Sequence, residues 1–334
     1  MTNVIIPAAG VGTRLRPHTH TRPKALLHVA GKPILGHILD RLQALPDPGP
    51  VWLVIGFRGD QVQDYVRSAY DLDFHFVEQT ELRGLGHAIH LALSEIPNDD
   101  PVLVILGDTI LDVDLAEFMS GGDDALGVKE VADPRRFGVV ELSADGRYVK
   151  HLVEKPADPP SNLAVIGLYG FHNTPLLRSA LAEVVGGGTT TAGEIQMTNA
   201  LQLMVERGSR MRAVRVDGWF DCGNFESLLE TNRFLLEKSP GTGGRDGSVV
   251  VPPSYISPSA RIERSVIGPY ASVSDEAEIV DSVIRNSIIS EGAGVKQCIL
   301  ENSIVGTRAV VHGSVRQVNL GEASVVGPLG TEID

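Results

Sequence analysis

Cysteine is nearly absent: the 334 residues hold two, Cys222 and Cys298, in different parts of the chain. Such a pair supplies neither a disulfide framework nor a zinc-binding set, and it fits a reducing compartment. A basic excess is missing too. Lys and Arg number 29 against 42 Asp and Glu, a formal net charge of −13. That excludes the broad basic face a long nucleic acid needs, although a local cluster of Arg and Lys can still make a pocket for a small anion. No apolar run approaches a membrane span, and the opening MTNVIIPAAG has no basic segment leading into an apolar one. A cytoplasmic protein without a membrane partner is expected. No HExxH motif accompanies His87 and His90, and no Ser-His-Asp constellation appears.

What is there is ordinary in amount, with 43% hydrophobic and 21% charged residues, but uneven in rhythm. The length favours two domains. Up to about residue 237, short apolar strands alternate with helical patterns. Val4–Pro7, Val51–Gly56, Phe74–Val77, Val102–Leu106, Gly138–Leu142 and Ala164–Phe171 read as strands, and Ile34–Leu45, Gln61–Ala69 and Gly86–Ile96 as helices. This alternation predicts an α/β domain, Rossmann-like, with a mixed, mostly parallel sheet. Ligands of such sheets sit beyond the carboxyl ends of the strands.

Residues 238–247, KSPGTGGRDG, read as a linker. From 248 to 334 the pattern changes: Ile256, Ile262, Ile267, Val273, Ile279, Ile284, Ile289 and Val295 recur every five or six positions. Neither a helix nor a simple strand has that period, whereas short strands stacked into a parallel β-helix do. An antiparallel sandwich is the alternative, but it would space its turn signals more widely.

The loop after the first strand, PAAGVGTRLRP (7–17), carries Gly10 and Gly12 where backbone N–H groups could approach a polyphosphate. It is not a Walker loop, since Thr13-Arg14 follows Gly12, nor a dinucleotide fingerprint, since Leu15 takes the third glycine's place. Arg14, Arg16 and Lys24 follow in an otherwise acidic chain. Each alone would read as a solvated surface cation; three beside a glycine loop favour anion binding. Asp108 ends the strand Val102–Leu106 through LGD. Asp221, in WFDCGN, follows the apolar run Met211–Val216. A turn or helix cap is the common fate of such an Asp.

The run GVGTRLRP…RPKAL…GKPI (10–34) resembles the signature of the sugar-phosphate nucleotidyltransferases. The likeness continues in order through EQTELRGLGHAI (78–89), LGD (106–108), FGVVEL (137–142), EKP (154–156), AVIGLYGF (164–171), GEIQMTNAL (193–201) and WFDCGN (219–224). The C-terminal repeats are similar to the left-handed β-helix that long members append. The resemblance implies that Ala9, Gly10, Gly12, Thr13, Arg14 and Lys24 meet the nucleoside triphosphate, with Arg14 stabilising charge at the α-phosphorus. It implies that Asp108 and Asp221 hold Mg2+, and that Gln79 and Gly84 receive the base. Lys155 would take the phosphate of the sugar 1-phosphate, with Gly138, Glu154 and Glu194 around the sugar.

The GLGHA run resembles the thymidylyl and uridylyl branches more than the guanylyl branch. The implied reaction is therefore dTTP, or UTP, with glucose 1-phosphate. GTP with mannose 1-phosphate is one alternative. An added acyltransferase activity in the β-helix is another, for which His312 is that segment's sole histidine. A non-catalytic regulatory paralogue is the third, and retention of Arg14, Lys24, Asp108, Lys155 and Asp221 argues against it. A homo-oligomer is expected, because a short β-helix leaves open faces. His18 and His20 are expected to be a solvated pair, His87 and His90 to carry no role, and Cys222 to be a small buried side chain.

Overall fold

A computed structural model gives the structure and describes residues 2–188, 190, 193–239, 241, 244–313 and 318–326. Contacts divide the chain into two units: Met1–Gly10 with Ile38–Trp219, and Val11–His37 with Phe220–Asp334. The grouping cuts across a linear division at residues 237 and 248, because an early loop belongs with the C-terminal repeats. Part of the expected linker (240, 242, 243) and of the repeat region (314–317, 327–334) lies outside the described residues.

In the first unit a nine-stranded mixed sheet is built on the strand Asn3–Pro7. It pairs in parallel with Val51–Ile55 and with Val102–Ile105, and Val51–Ile55 pairs in parallel with Phe74–Glu78. Beyond Val102–Ile105 the direction reverses. Leu163–Phe171 runs antiparallel to that strand, to Asp124–Glu130 and to Gly138–Leu142. Val149–Glu154 joins Gly138–Leu142, and Met211–Arg215 runs parallel to Asp124–Glu130. All nine residues of Leu163–Phe171 are buried, as suits an inner strand covered on both faces. Within it Gly167 has φ +79°, and a Cβ there would stand 2.4 Å from Leu106 Cδ1. Only glycine fits, and the pairing register with Asp124–Glu130 shifts across it, between Val165 and Tyr169.

The six strands and three helices read from the sequence are present with ends moved by at most two residues. Asp124–Glu130 and Val149–Glu154 were not read. The first opens on a buried Asp124, whose carboxylate accepts from His172 N, Asn173 N and Ser209 Oγ. In the second, Lys150 and His151 stand together on the surface and break the alternation. No helix among the described residues is long and apolar enough to cross a membrane.

In the second unit the repeats form a parallel β-helix with three strand faces. Ile262 stacks on Ile279, then Val295, then Val311, and Ile256, Val273, Ile289 and Val305 stack likewise. All eight apolar positions named from the sequence lie in its core. Burying an Ile or Val contributes about 1.5–3 kcal/mol, so each added coil brings its own increment. At the corners the chain turns through left-handed residues in register: Arg264, Asp281 and Gln297 at one, Asn286 and Asn302 at another, Glu276, Gly292 and Arg308 at the third.

Candidate active site

In the first unit, three parallel strands end side by side. Asn3–Pro7 leads into Ala8, Ala9 and Gly10, and Val102–Ile105 leads into Gly107 and Asp108. Gly107 N–H donates to Pro7 O at 3.1 Å, and a Cβ on Gly107 would come within 2.8 Å of that oxygen. Gly56, beyond Val51–Ile55, presses on Ala9 just as closely, at 2.9 Å. Small residues therefore let the strand ends crowd together. Gly10 is exposed with nothing within 4 Å of its Cβ position, so its backbone is open to a ligand. Thr109 is buried, its hydroxyl 3.4 Å from Asp108 Oδ1.

Gln79 and Gly84 lie together in the same unit. Gln79 is buried, and its Nε2 donates to Gly84 O and to His87 Nδ1, each at 3.2 Å. Gly84 has φ +104°, and a Cβ would stand 2.7 Å from Ile195 O. Backbone bonds Ile195 N to Arg83 O (2.7 Å) and Gly86 N to Ile195 O (2.9 Å) tie this turn to the segment carrying Glu194. Glu194 is exposed and accepts from Gln196 Nε2 at 3.1 Å.

Two residues further on, Thr198 reaches the sugar-motif residues. Its Oγ1 donates to Glu154 Oε2 at 2.6 Å, and a Cβ on Gly138 would stand 2.8 Å from Thr198 Oγ1. Gly138 is thus the space in which that bond is made. Glu154 Oε1 is 3.4 Å from Lys155 Nζ. Lys155 turns off the strand with φ +45°, uncommon for a residue with a side chain. Trp219 packs edge-on against Phe137, and its buried indole N–H has no partner among the described residues.

The second unit holds Gly12, Thr13, Arg14, Lys24 and Asp221. Gly12 has φ +66° and opens a short 3-10 turn, Thr13–Leu15. Its carbonyl accepts from Thr19 Oγ1 at 2.8 Å, and a Cβ would stand 3.1 Å from Lys24 Cβ. The Lys24 stem is thereby packed under the turn. Lys24 Nζ lies 4.0 Å from Asp221 Oδ1, whereas Thr13 and Arg14 are exposed.

The loop is held by one helix and by the repeats. Asn232, fully buried on the helix Phe225–Glu237, accepts from Ala30 N at 2.9 Å and from Ser272 Oγ at 2.7 Å. It also donates to Tyr270 O at 3.1 Å. Arg22 pairs with Glu291 at 2.9 Å, and the Tyr255 ring packs on Gly31. His28 sits among Arg22, Glu291 and Asp275. Burial and the Arg22 charge press its pKa down to about 4, the two carboxylates opposing.

A divalent cation of the hard, oxygen-seeking kind suits the residues present. Asp108 is a carboxylate on the turn after Val102–Ile105, and Asp221 one at the end of the short strand Gly218–Asp221. Around Asp221 the neighbouring Gly223 keeps room: a Cβ there would stand 2.7 Å from Asp221 Oδ2 and 2.9 Å from Oδ1. No group of three or more His, Cys, Asp or Glu side chains is poised for a metal among the described residues. One or two carboxylates completed by water and substrate phosphate is how Mg2+ is commonly held.

Two expectations about histidine need correction. His18 is not solvated: it is buried and hydrogen-bonded to Asn319, and burial lowers its pKa. His20 is exposed as expected. His87 does have a role, as a partner of Gln79. Thr198 was also passed over, although its place in GEIQMTNAL two residues beyond Gln196 was visible. Cys222 is fully buried, as expected. The His312 ring is engaged by Gln297 Oε1 at 3.1 Å.

A family profile described as Nucleotidyl transferase matches residues 3–238. A glucose-1-phosphate thymidylyltransferase of Streptomyces griseus is 32% identical over 92% of this chain and 92% of its own. The bifunctional protein GlmU of Methanocaldococcus jannaschii is 35% identical over 71% of this chain and 55% of its own. Among solved structures, a UDP-glucose pyrophosphorylase complexed with UDP-glucose superposes with a TM-score of 0.62 at 29% identity. That match covers 72% of this chain and all of the other.

Proposed function

The chain belongs to the nucleotidyl transferase family, and on that premise we propose that it joins a sugar 1-phosphate to dTTP or UTP and releases pyrophosphate. Glucose 1-phosphate is the sugar we assign. The observation that carries the reading is the loop that packs Lys24 under Gly12 with its ammonium beside Asp221. A cation held next to a carboxylate on a glycine turn is equipment for a metal-bound polyphosphate.

In the reaction a phosphate oxygen of the sugar 1-phosphate attacks the α-phosphorus. The bond from that phosphorus to the bridging oxygen of the β-phosphate breaks, and pyrophosphate leaves with the electron pair. Both reactants are anions, so the barrier is charge repulsion and alignment rather than proton transfer. Arg14 and Lys24 neutralise the triphosphate, with the backbone of Ala9, Gly10, Gly12 and Thr13 alongside. Lys155 holds the sugar phosphate. Glu154, kept in place by Thr198, accepts from sugar hydroxyls, with Gly138 and Glu194 beside it. Asp108 and Asp221 are the carboxylates that would hold Mg2+, which would supply charge neutralisation at the phosphates. With both amide hydrogens of Gln79 engaged, its carbonyl oxygen is what a base meets. It accepts from the N3–H of uracil or thymine and is mismatched to the N3 acceptor of cytosine.

A cytoplasmic homo-oligomer completes the reading. Val249, Val266, Val283 and Ile299 stack in an outward row on one β-helix face, with Val249 58% and Ile299 47% exposed. Such an apolar stripe suits a second copy.

Pyrophosphate release from dTTP, UTP, GTP, CTP and ATP with glucose 1-phosphate and Mg2+ tests the assignment, with Asp108→Asn in parallel. Turnover confined to a pyrimidine triphosphate, lost in the variant, is expected. Turnover with GTP alone would overturn the base assignment and send the panel to mannose 1-phosphate.

A further inference from the structure

Gly84 O is a backbone carbonyl and can only accept, so the edge of Gln79 facing it is the amide NH2. His87 Nδ1 lies 3.2 Å from the same nitrogen and must therefore be the acceptor of its second hydrogen. A ring that accepts at Nδ1 is neutral and carries its proton on Nε2. Burial and the nearby Arg83 guanidinium hold the His87 pKa below its ordinary value, with the Glu81 backbone and carboxylate opposing. His90, one turn along the helix, acts on the same region. Glu194, on the segment packed against Gly84, is tied to the Gln196 amide.

We propose that His87 is the positioning residue that aims the Gln79 carbonyl oxygen at the base, and that protonating its ring releases that aim. The inference rests on Gln79 being the base reader. With Nδ1 protonated, two donors confront each other. Turning the amide oxygen to the imidazolium would set it against Gly84 O, so the amide keeps that one tie, loses the other, and no longer holds its oxygen firmly toward the base. An oxygen held loosely at that point pairs less well with the N3–H of uracil or thymine, while cytosine, which has no N3–H to give it, loses little. Base choice in this chain therefore depends on pH through a side chain that does not itself read the base.

The test measures kcat and KM for UTP, dTTP and CTP between about pH 8 and about pH 5 in the wild type, His87→Gln, His87→Lys and Gln79→Ala. Acidification should raise the wild-type KM for the preferred triphosphate about fivefold or more relative to His87→Gln, whose amide oxygen accepts at every pH. The preference over CTP should narrow at the same time. His87→Lys, a donor throughout, should show the narrowed preference even at about pH 8. Parallel profiles for the wild type and His87→Gln would overturn the proposal, and the comparison cancels titration of the nucleotide itself. If Gln79→Ala leaves KM and base preference unchanged, the base-reading assignment fails and takes this inference with it. If Gln79→Ala raises KM while the two profiles stay parallel, only the role of His87 is lost.

Discussion

The two units hold their functional groups in place by different means. In the sheet unit, Gly84, Gly138 and the backbone that carries Gln79, Glu154 and Glu194 are fixed by main-chain bonds and by glycines that let neighbours approach closely. In the β-helix unit, the loop bearing Gly12, Arg14 and Lys24 has little regular structure. Side chains from one helix and from the repeats hold it: Asn232 of Phe225–Glu237 at its base, Glu291 on Arg22 and Asn319 on His18. A backbone fixed in this way keeps its course when a side-chain contact is lost, but not when a methyl is added. A group fixed by a few polar contacts should behave in the opposite way.

The largest expected effect sharpens the functional side of this contrast. Lys24→Ala should lower kcat by about 100- to 1,000-fold, the usual loss for a preorganised charge at a reacting phosphoryl or acyl centre. Its unfolding midpoint in urea should stay close to wild type. A parallel fall in stability would show that Lys24 acts as packing for Gly12 instead.

Acid should loosen the β-helix unit next. His28 has a pKa of about 4 in the fold against 6.5 for a free ring. The unfolded chain therefore takes the proton first as pH falls. The stability is present above about pH 6.5 and is lost on descending towards about pH 4, on the order of 3 kcal/mol for full protonation. Urea unfolding at about pH 7 and about pH 4.5 measures this, and His28→Asn should flatten the difference between the two. An unchanged slope in the variant would place the acid sensitivity elsewhere.

The reverse experiment on the sheet unit is Gly84→Ala. The added methyl meets Ile195 O and a backbone at φ +104°. A cost of about 2–3 kcal/mol is expected, with a raised KM for the nucleotide. Glu291→Gln should do least: a partly exposed pair contributes about 0.5–1 kcal/mol. A threefold or smaller rise in nucleotide KM with unchanged kcat would fit. A larger effect would mean that Arg22 and Glu291 set the loop's position rather than trim it.

Much of this was legible along the chain because it repeats locally. The strands of the parallel half are solid apolar runs, such as Val51–Ile55, and the eight β-helix positions recur at a spacing no helix has. The place of Asp108 just past a strand end was legible too, although a turn or cap is the common fate of such an Asp and only the accompanying motifs mark it as a metal candidate. The grouping of the early loop with the repeats was not legible. Arg22 and Glu291 are 269 residues apart, and His18 and Asn319 are 301 apart. Single side chains meeting over such a separation leave no period to detect. His87 was missed for a related reason. Its position three residues before His90 invites a search for a metal, whereas its partner is an amide just past the preceding strand.

The pairing of Arg22 with Glu291 also fixes an order of events during synthesis. Chains emerge from the ribosome N-terminus first at about 5–20 residues per second, so roughly 15–50 s separate the two residues. The sheet unit can close behind its own strands as they appear. The loop made among the first residues must wait for nearly the last coil before its partners exist. In the cell, the part of the enzyme translated earliest is therefore the part matured latest, and a chain stalled short of its repeats carries a loop that its scaffold has not yet captured.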